Sequence, residues 1–336
     1  MIKIRRANID TRLITTASLN SMVCWGADCL GAPPQQIKDR RRLIHCSVSA
    51  NTMGRSATID FALAKGKVRN LDPSYSLTTA PIYALALAVW DRWCPQEWIM
   101  RVWSSAFRVA SKPKFHWNVV NDPVTAAAAS FVRIGWSSHA PGVLRTHLGA
   151  VINLNKTCPK STKLMAEDAV EDWLLSRFVA SDDRMRPLGP AAIPWLDPLR
   201  DSVSKRTSAT WTRTHQAFVR AAGADGIWLA ERLAEADMIV GGECRVCGDR
   251  GTIIHRCFGC SGTQTYREQY GLPAGLAQNA LADQENPLWT CGIVIDPTRC
   301  LPPPSLELPR WTIRPQGGKF TTGAFGDGSG EELFGP

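Results

Sequence analysis

The stretch CRVCGDRGTIIHRCFGC, residues 244–260, constrains this chain more than any other. It holds five potential metal ligands, Cys244, Cys247, His255, Cys257 and Cys260. So short a segment cannot bury a core of its own, and a bound ion can supply the missing folding energy. Cys244 and Cys247 form a C-x2-C pair, and Gly248 after them permits a tight turn that aims backbone amides at thiolates. Zinc takes four thiolate or imidazole ligands in a tetrahedron. Cys244, Cys247, His255 and Cys260 supply such a set, and neutral imidazole with thiolates suits Zn²⁺. Cys257 makes a second C-x2-C pair with Cys260, so an all-cysteine site stays open. So does a group of unmetallated thiols. There is no HExxH and no acid beside an open ligand position. The expected site is closed and structural, with Zn²⁺ as its cofactor.

The remaining cysteines read differently. There are eleven in all, an odd number, and no long apolar stretch follows the basic start MIKIRR. Both points argue against a secreted disulfide framework and for an intracellular chain. Cys291 and Cys300 have no further ligands nearby and read as free thiols. The longest apolar run, Ala80 to Trp90, falls well short of the roughly 20 residues that a bilayer span needs. No membrane partner is expected, and no small-molecule substrate.

Charge is placed unevenly. The net value is +9, and residues 1–70 carry twelve lysines and arginines against four aspartates. A basic lobe of this kind attracts phosphate backbones without reading sequence. Lys38, Arg40, Arg41 and Arg42 lie together in QQIKDRRRLIHCSVS, where Ile37, Ile44 and Val48 recur near helical spacing. These four cations are the expected phosphate contacts, with RNA, DNA or a hybrid as partner.

Periodicity places helices over most of the rest. Short helices are expected at 56–66, two apolar ones over 77–109 with a break at Pro95, and one at 124–135. The clearest amphipathic pattern is 163–178, where Val170, Trp173, Leu174 and Phe178 share a face. Residues 207–222 and 225–238 read as two more. Residues 288–318 hold six prolines and read as linker. Strand signals are scarce before the end, so the expected class is mainly α. The organisation expected is a basic helical region over 1–110, a helical connection over 111–240, a metal module over 241–264, a linker over 265–318 and a β-prone end over 319–336.

That end, KFTTGAFGDGSGEELFGP, places Asp327 among glycines after a short strand. Two-metal RNA cleavage uses such a carboxylate together with others. Only Glu331 and Glu332 follow, and both are too close in sequence to complete a cage. The plain alternative is a polar, glycine-rich tail.

Three segments in order carry a family resemblance. FTTGAFGDGSG resembles the first strand of type 1 ribonuclease H, with Gly326 where that pattern has threonine. CRVCGDRGTIIHRCFGC resembles the zinc-binding segment that follows reverse transcriptase in many non-LTR retrotransposon polyproteins. SLNSMVCWGADCLGAPPQQIKDRRRLIHCSV with FALAKGKVRNLDP resembles the thumb and connection after the polymerase palm, although Cys24 to Asp28 departs from the usual turn. The resemblance implies a nucleic-acid-binding fragment of such a polyprotein, catalytically inactive by itself. It further implies a truncated ribonuclease H start, in which Asp327 would hold Mg²⁺ only in a completed domain. Asp182-Asp183 has no hairpin pattern and reads as a helix end.

Trp90, Trp93, Trp98 and Trp103 crowd one region and read as helical core. His45, His116, His139, His147 and His215 stand alone in sequence, with no nucleophile–base grouping.

Overall fold

Proline and aspartate start the long helices. Pro34 opens α1, Pro34–Val48, whose buried face is Ile37, Ile44, His45 and Val48. The Asp72 side chain accepts from the Ser74 amide at 2.9 Å and caps α2, Pro73–Trp90. A cap of this kind is worth about 1 kcal/mol. Asp122 accepts from the Thr125 amide at 2.8 Å and caps α4, Pro123–Arg133, which follows α3, Gln96–Ala110. These elements belong to a computed structural model that describes residues 14–49, 54–64, 66–93, 95–112, 117–189 and 192–297. The described residues up to Asp296 form one compact unit. The basic residues before Ile14, the rest of the proline-rich stretch and Asp327 lie outside the described residues.

α2 is apolar all round, the mark of a helix buried from several sides. It packs on α1, on α4 and on α5, Pro159–Ser181. Pro81 lies inside it, where the ring removes the amide that would bond Leu77. The main core joins these helices through Ile82, Leu85, Trp103, Phe131, Val170 and Leu174. Four rings run through it in stacked contact. Trp103 meets Phe107 at 5.1 Å, Phe107 meets Phe131 at 6.0 Å, and Phe131 meets Trp136 at 5.6 Å between centroids. Each such pair adds about 0.5–1.5 kcal/mol beyond the area it buries.

Between α4 and α5 the chain makes an antiparallel sheet that periodicity does not announce. Its strands are β1, Ser137–Ala140, β2, Val143–Arg145, and β3, Val151–Asn153, in the order β1-β2-β3. Leu144 pairs with Ile152 and both face the core. Strands of three or four residues give an alternation too brief to recognise.

A second core forms at the far end of α5. Phe178 and Val179 meet Ile59, Met185, Leu196 and Leu199. The last two flank the start of α6, Asp197–Ser204, which precedes α7, Arg213–Gly223. Strand β4, Pro194–Trp195, pairs antiparallel with β5, Val294–Ile295. Residues 288–295, read from sequence as linker, are therefore part of this core. Cys291 and Ile293 are buried in it. The class expected from sequence, mainly α, holds for the described residues.

Of the four crowded tryptophans only Trp103 is core. Trp90 is 45 % exposed, Trp93 63 % and Trp98 61 %. The helical period explains the split: Ile99, Trp103, Ala106, Phe107 and Ala110 take the inner face of α3, leaving Trp98 on the outer one.

Candidate metal centre and the adjoining groove

Residues 242–251 form a tight hairpin. Glu243 bridges Arg250, the Gly251 amide donates to the Gly242 carbonyl at 2.8 Å, and the Gly248 amide donates to the Cys244 carbonyl at 2.8 Å. Gly248 has φ +84°, a conformation that disfavours a side chain. Gly251 is held by closeness: an added Cβ would lie 2.8 Å from the Gly242 oxygen. The chain then turns into a π-helical turn, His255–Gly259. The Thr252 hydroxyl accepts from the His255 amide at 3.0 Å, and the Cys260 amide donates back to the His255 carbonyl at 2.7 Å. The hairpin and this turn bring both halves of the motif together.

Cys244, Cys247, His255 and Cys260 converge, with their ligand atoms all within 4.8 Å of one another. Cys260 Sγ lies 3.8 Å from Cys244 Sγ and 3.7 Å from Cys247 Sγ. Two thiolates bound at about 2.3 Å to one tetrahedral zinc lie about 3.8 Å apart. His255 approaches through Nε2, 3.0 Å from Cys247 Sγ. The cluster can hold a metal ion. Backbone amides of Val246 and Cys247 draw the Cys244 thiol down to about 6. The Asp249 amide also pulls Cys247 down, but burial and the neighbouring sulfurs of Cys260 and Cys244 outweigh it, so that thiol is pushed up to about 11. Bringing sulfurs this close favours one thiolate at the expense of the next, and a cation removes that conflict.

Cys257 is outside the convergent group. Burial pushes its thiol up. Phe258 beside it meets Trp289 edge-on at 5.9 Å, fastening the module to the short helix Pro287–Cys291.

A groove of about 1470 Å³ runs between the metal module and the basic helix. Lys38 and Arg42 line one wall, Arg177 of α5 another, and Gly251 to Ile254 of the module a third. The acids that reach it are mostly occupied. Asp182 pairs with Arg184 at 2.7 Å, Asp225 with Arg232 at 2.7 Å, and Glu231 with Arg250. Lys38 and Arg42 are exposed and make no ion pair among the described residues. Arg177 lies over the Trp173 ring at 5.4 Å.

The four expected phosphate contacts therefore separate. Lys38 and Arg42, one helical turn apart, face the groove. Arg40 does not line it and sits near Cys24 instead. Arg41 lines the groove as well, but its guanidinium is engaged internally. It grips Asp72 with Nε to Oδ1 at 3.1 Å and Nη2 to Oδ2 at 2.8 Å. It also donates to Thr58 at 3.1 Å and lies over Phe61 at 5.6 Å. A run of arginines in sequence does not tell which side of the helix each one takes.

Two histidines that stand alone in sequence are paired in space. His45 Nε2 is 2.7 Å from Asp60 Oδ2, both buried, and His45 lines the groove. His147 Nε2 is 2.8 Å from Asp172 Oδ2, while its Nδ1 accepts from Trp136 Nε1 at 3.3 Å. The second set fixes the imidazole as an Nε2–H tautomer and ties the sheet to α5. His139 is exposed, His215 belongs to the cap of α7, and His116 lies outside the described residues. Asp182 ends α5 and caps the turn Asp183–Leu188, in keeping with its reading as a helix end.

Among the described residues no helix is long and apolar enough to cross a membrane. No family model, curated protein or solved structure matches this chain.

Proposed function

We propose that this protein binds nucleic acid along the groove between α1 and the metal module, and that the module holds a structural Zn²⁺. The observation that supports this reading most is the shared wall. Lys38, Arg42 and Arg177 carry charge with no carboxylate partner among the described residues, and they open onto the same depression as residues 251–254. Its volume exceeds the roughly 300–1,000 Å³ of sites for drug-sized ligands, so an extended ligand fits better than a metabolite. Contacts of this kind grip phosphates and carry no sequence preference. The sulfur spacing near 3.8 Å supports zinc, and a fully ligated ion leaves no position for catalysis. The likeness of residues 244–260 to the zinc segment of retrotransposon polyproteins points the same way. In this reading the chain derives from such an element, and the ion holds one wall of the groove in shape.

Titration of a labelled duplex against salt tests it. Each phosphate contact contributes a slope of about −0.9 in log K against log salt. The double variant Lys38→Ala/Arg42→Ala should lose roughly 2 from the slope and bind about tenfold more weakly at moderate salt. Binding that is insensitive to salt and unchanged in the variant would instead mark the groove as a protein-docking surface.

A further inference from the structure

The outer face of α3 has no partner among the described residues, and its composition is specific. Trp98, Arg101, Val102, Ser105 and Arg108 follow one another at helical spacing and are all exposed. Arg101 and Arg108 make no ion pair among the described residues, and Glu97 is the only acid on the helix. At its N-terminal end the turn from α2 adds Trp90, Arg92 and Trp93. Arg92 has φ 52°, a left-handed conformation uncommon outside glycine, and the chain reverses there with both flanking indoles exposed. Gln96 donates to the Asn155 side chain at 2.7 Å, pinning the start of α3 to the turn after β3. The inner face of the same helix is locked in the main core. The outer face is thus a firm surface bearing large aromatic groups and cations that no ion pair among the described residues uses.

We propose that this stripe is a second nucleic-acid site, distinct from the groove, and that it takes an unpaired strand. Indoles stack on any base, and guanidiniums beside them neutralise the phosphates that link those bases. From Trp98 to Arg108 the helix rises about 15 Å, room for roughly four nucleotides at a stacked spacing of about 3.4 Å. The placing of charge decides against a lipid surface. A helix that lies in a bilayer interface keeps its cations on the face opposite the apolar one, whereas here Arg101 and Arg108 occupy the same stripe as Trp98 and Val102.

The test uses the full chain carrying Lys38→Ala/Arg42→Ala, so that the groove does not supply the signal. A fluorescent oligothymidylate about 12 nucleotides long is the probe, within the length range of single-strand sites. Trp98→Ala should weaken binding roughly tenfold. Trp98→Phe, which keeps a stacking face, should recover most of it. Arg101→Glu/Arg108→Glu should weaken it further and flatten the salt dependence. Trp98 is exposed, so these changes leave the core alone, and an unchanged melting profile verifies that. Equal affinity in all variants overturns the proposal. So does retention on phosphatidylserine vesicles that depends on Trp98 while the oligonucleotide is ignored. Failure of duplex binding by the parent chain bears on the groove alone.

Discussion

Replacing Arg41 with methionine should destabilise the folded chain by about 3–5 kcal/mol, although its neighbours Lys38 and Arg42 tolerate truncation with little change. The reason lies in what Arg41 leaves behind. Asp72 is 1 % exposed and its charge is balanced by that guanidinium. Removing one partner of a buried pair strands the other charge, the costly case. Asp72 also caps α2, so the loss reaches the central helix of the main core. Urea denaturation of the three single variants measures the effect. A cost below about 1 kcal/mol for Arg41→Met, typical of an exposed pair, would mean that the ion pair does not hold α1 to α2.

Changing Cys260 to serine should abolish stoichiometric metal uptake and unfold residues 242–263. Cys260 is completely buried and lies 3.8 and 3.7 Å from two other sulfurs, so no water can replace its ligand without opening the cluster. Structural zinc contributes on the order of 10–16 kcal/mol of apparent binding energy in finger peptides, far more than the few contacts of this segment. Elemental analysis should give one zinc per parent chain and none in the variant. Amide exchange should show protection lost over 242–263, with the helices of the main core unaffected. Cys257→Ser should keep the metal. Metal retained by Cys260→Ser and lost from Cys257→Ser would transfer the ligand role to Cys257. Chelation of the parent chain should reproduce the exchange pattern of Cys260→Ser.

Much of the helical framework was legible because its signals are local. Val170, Leu174 and Phe178 share the face that α5 buries, and Ile37, Ile44 and Val48 do the same for α1. The four converging ligands were legible too, because a C-x2-C pair and H-x4-C close a site within seventeen residues. What stayed hidden depends on separations that sequence does not measure. Asp60 is fifteen residues from His45, and Asp172 is twenty-five from His147. Arg41 meets an acid thirty-one residues away, so it looked like its free neighbours. The tryptophans misled for another reason. Aromatic density suggests a core, but only the phase of α3 tells that Trp103 points in while Trp98 points out.

The pairing of β4 with β5 has a kinetic consequence. It joins positions ~100 residues apart, and closing so long a loop costs about 4 kcal/mol of chain entropy. The helices through Ser181 need no residue beyond that loop, so they can assemble while it is still open. The part of the second core that joins Leu196 to Ile293 waits for the closing strand. Contacts of such separation form late. The ion would act here as a folding aid: by ordering residues 242–263 inside the open loop, it shortens the disordered length that β5 must span to reach β4.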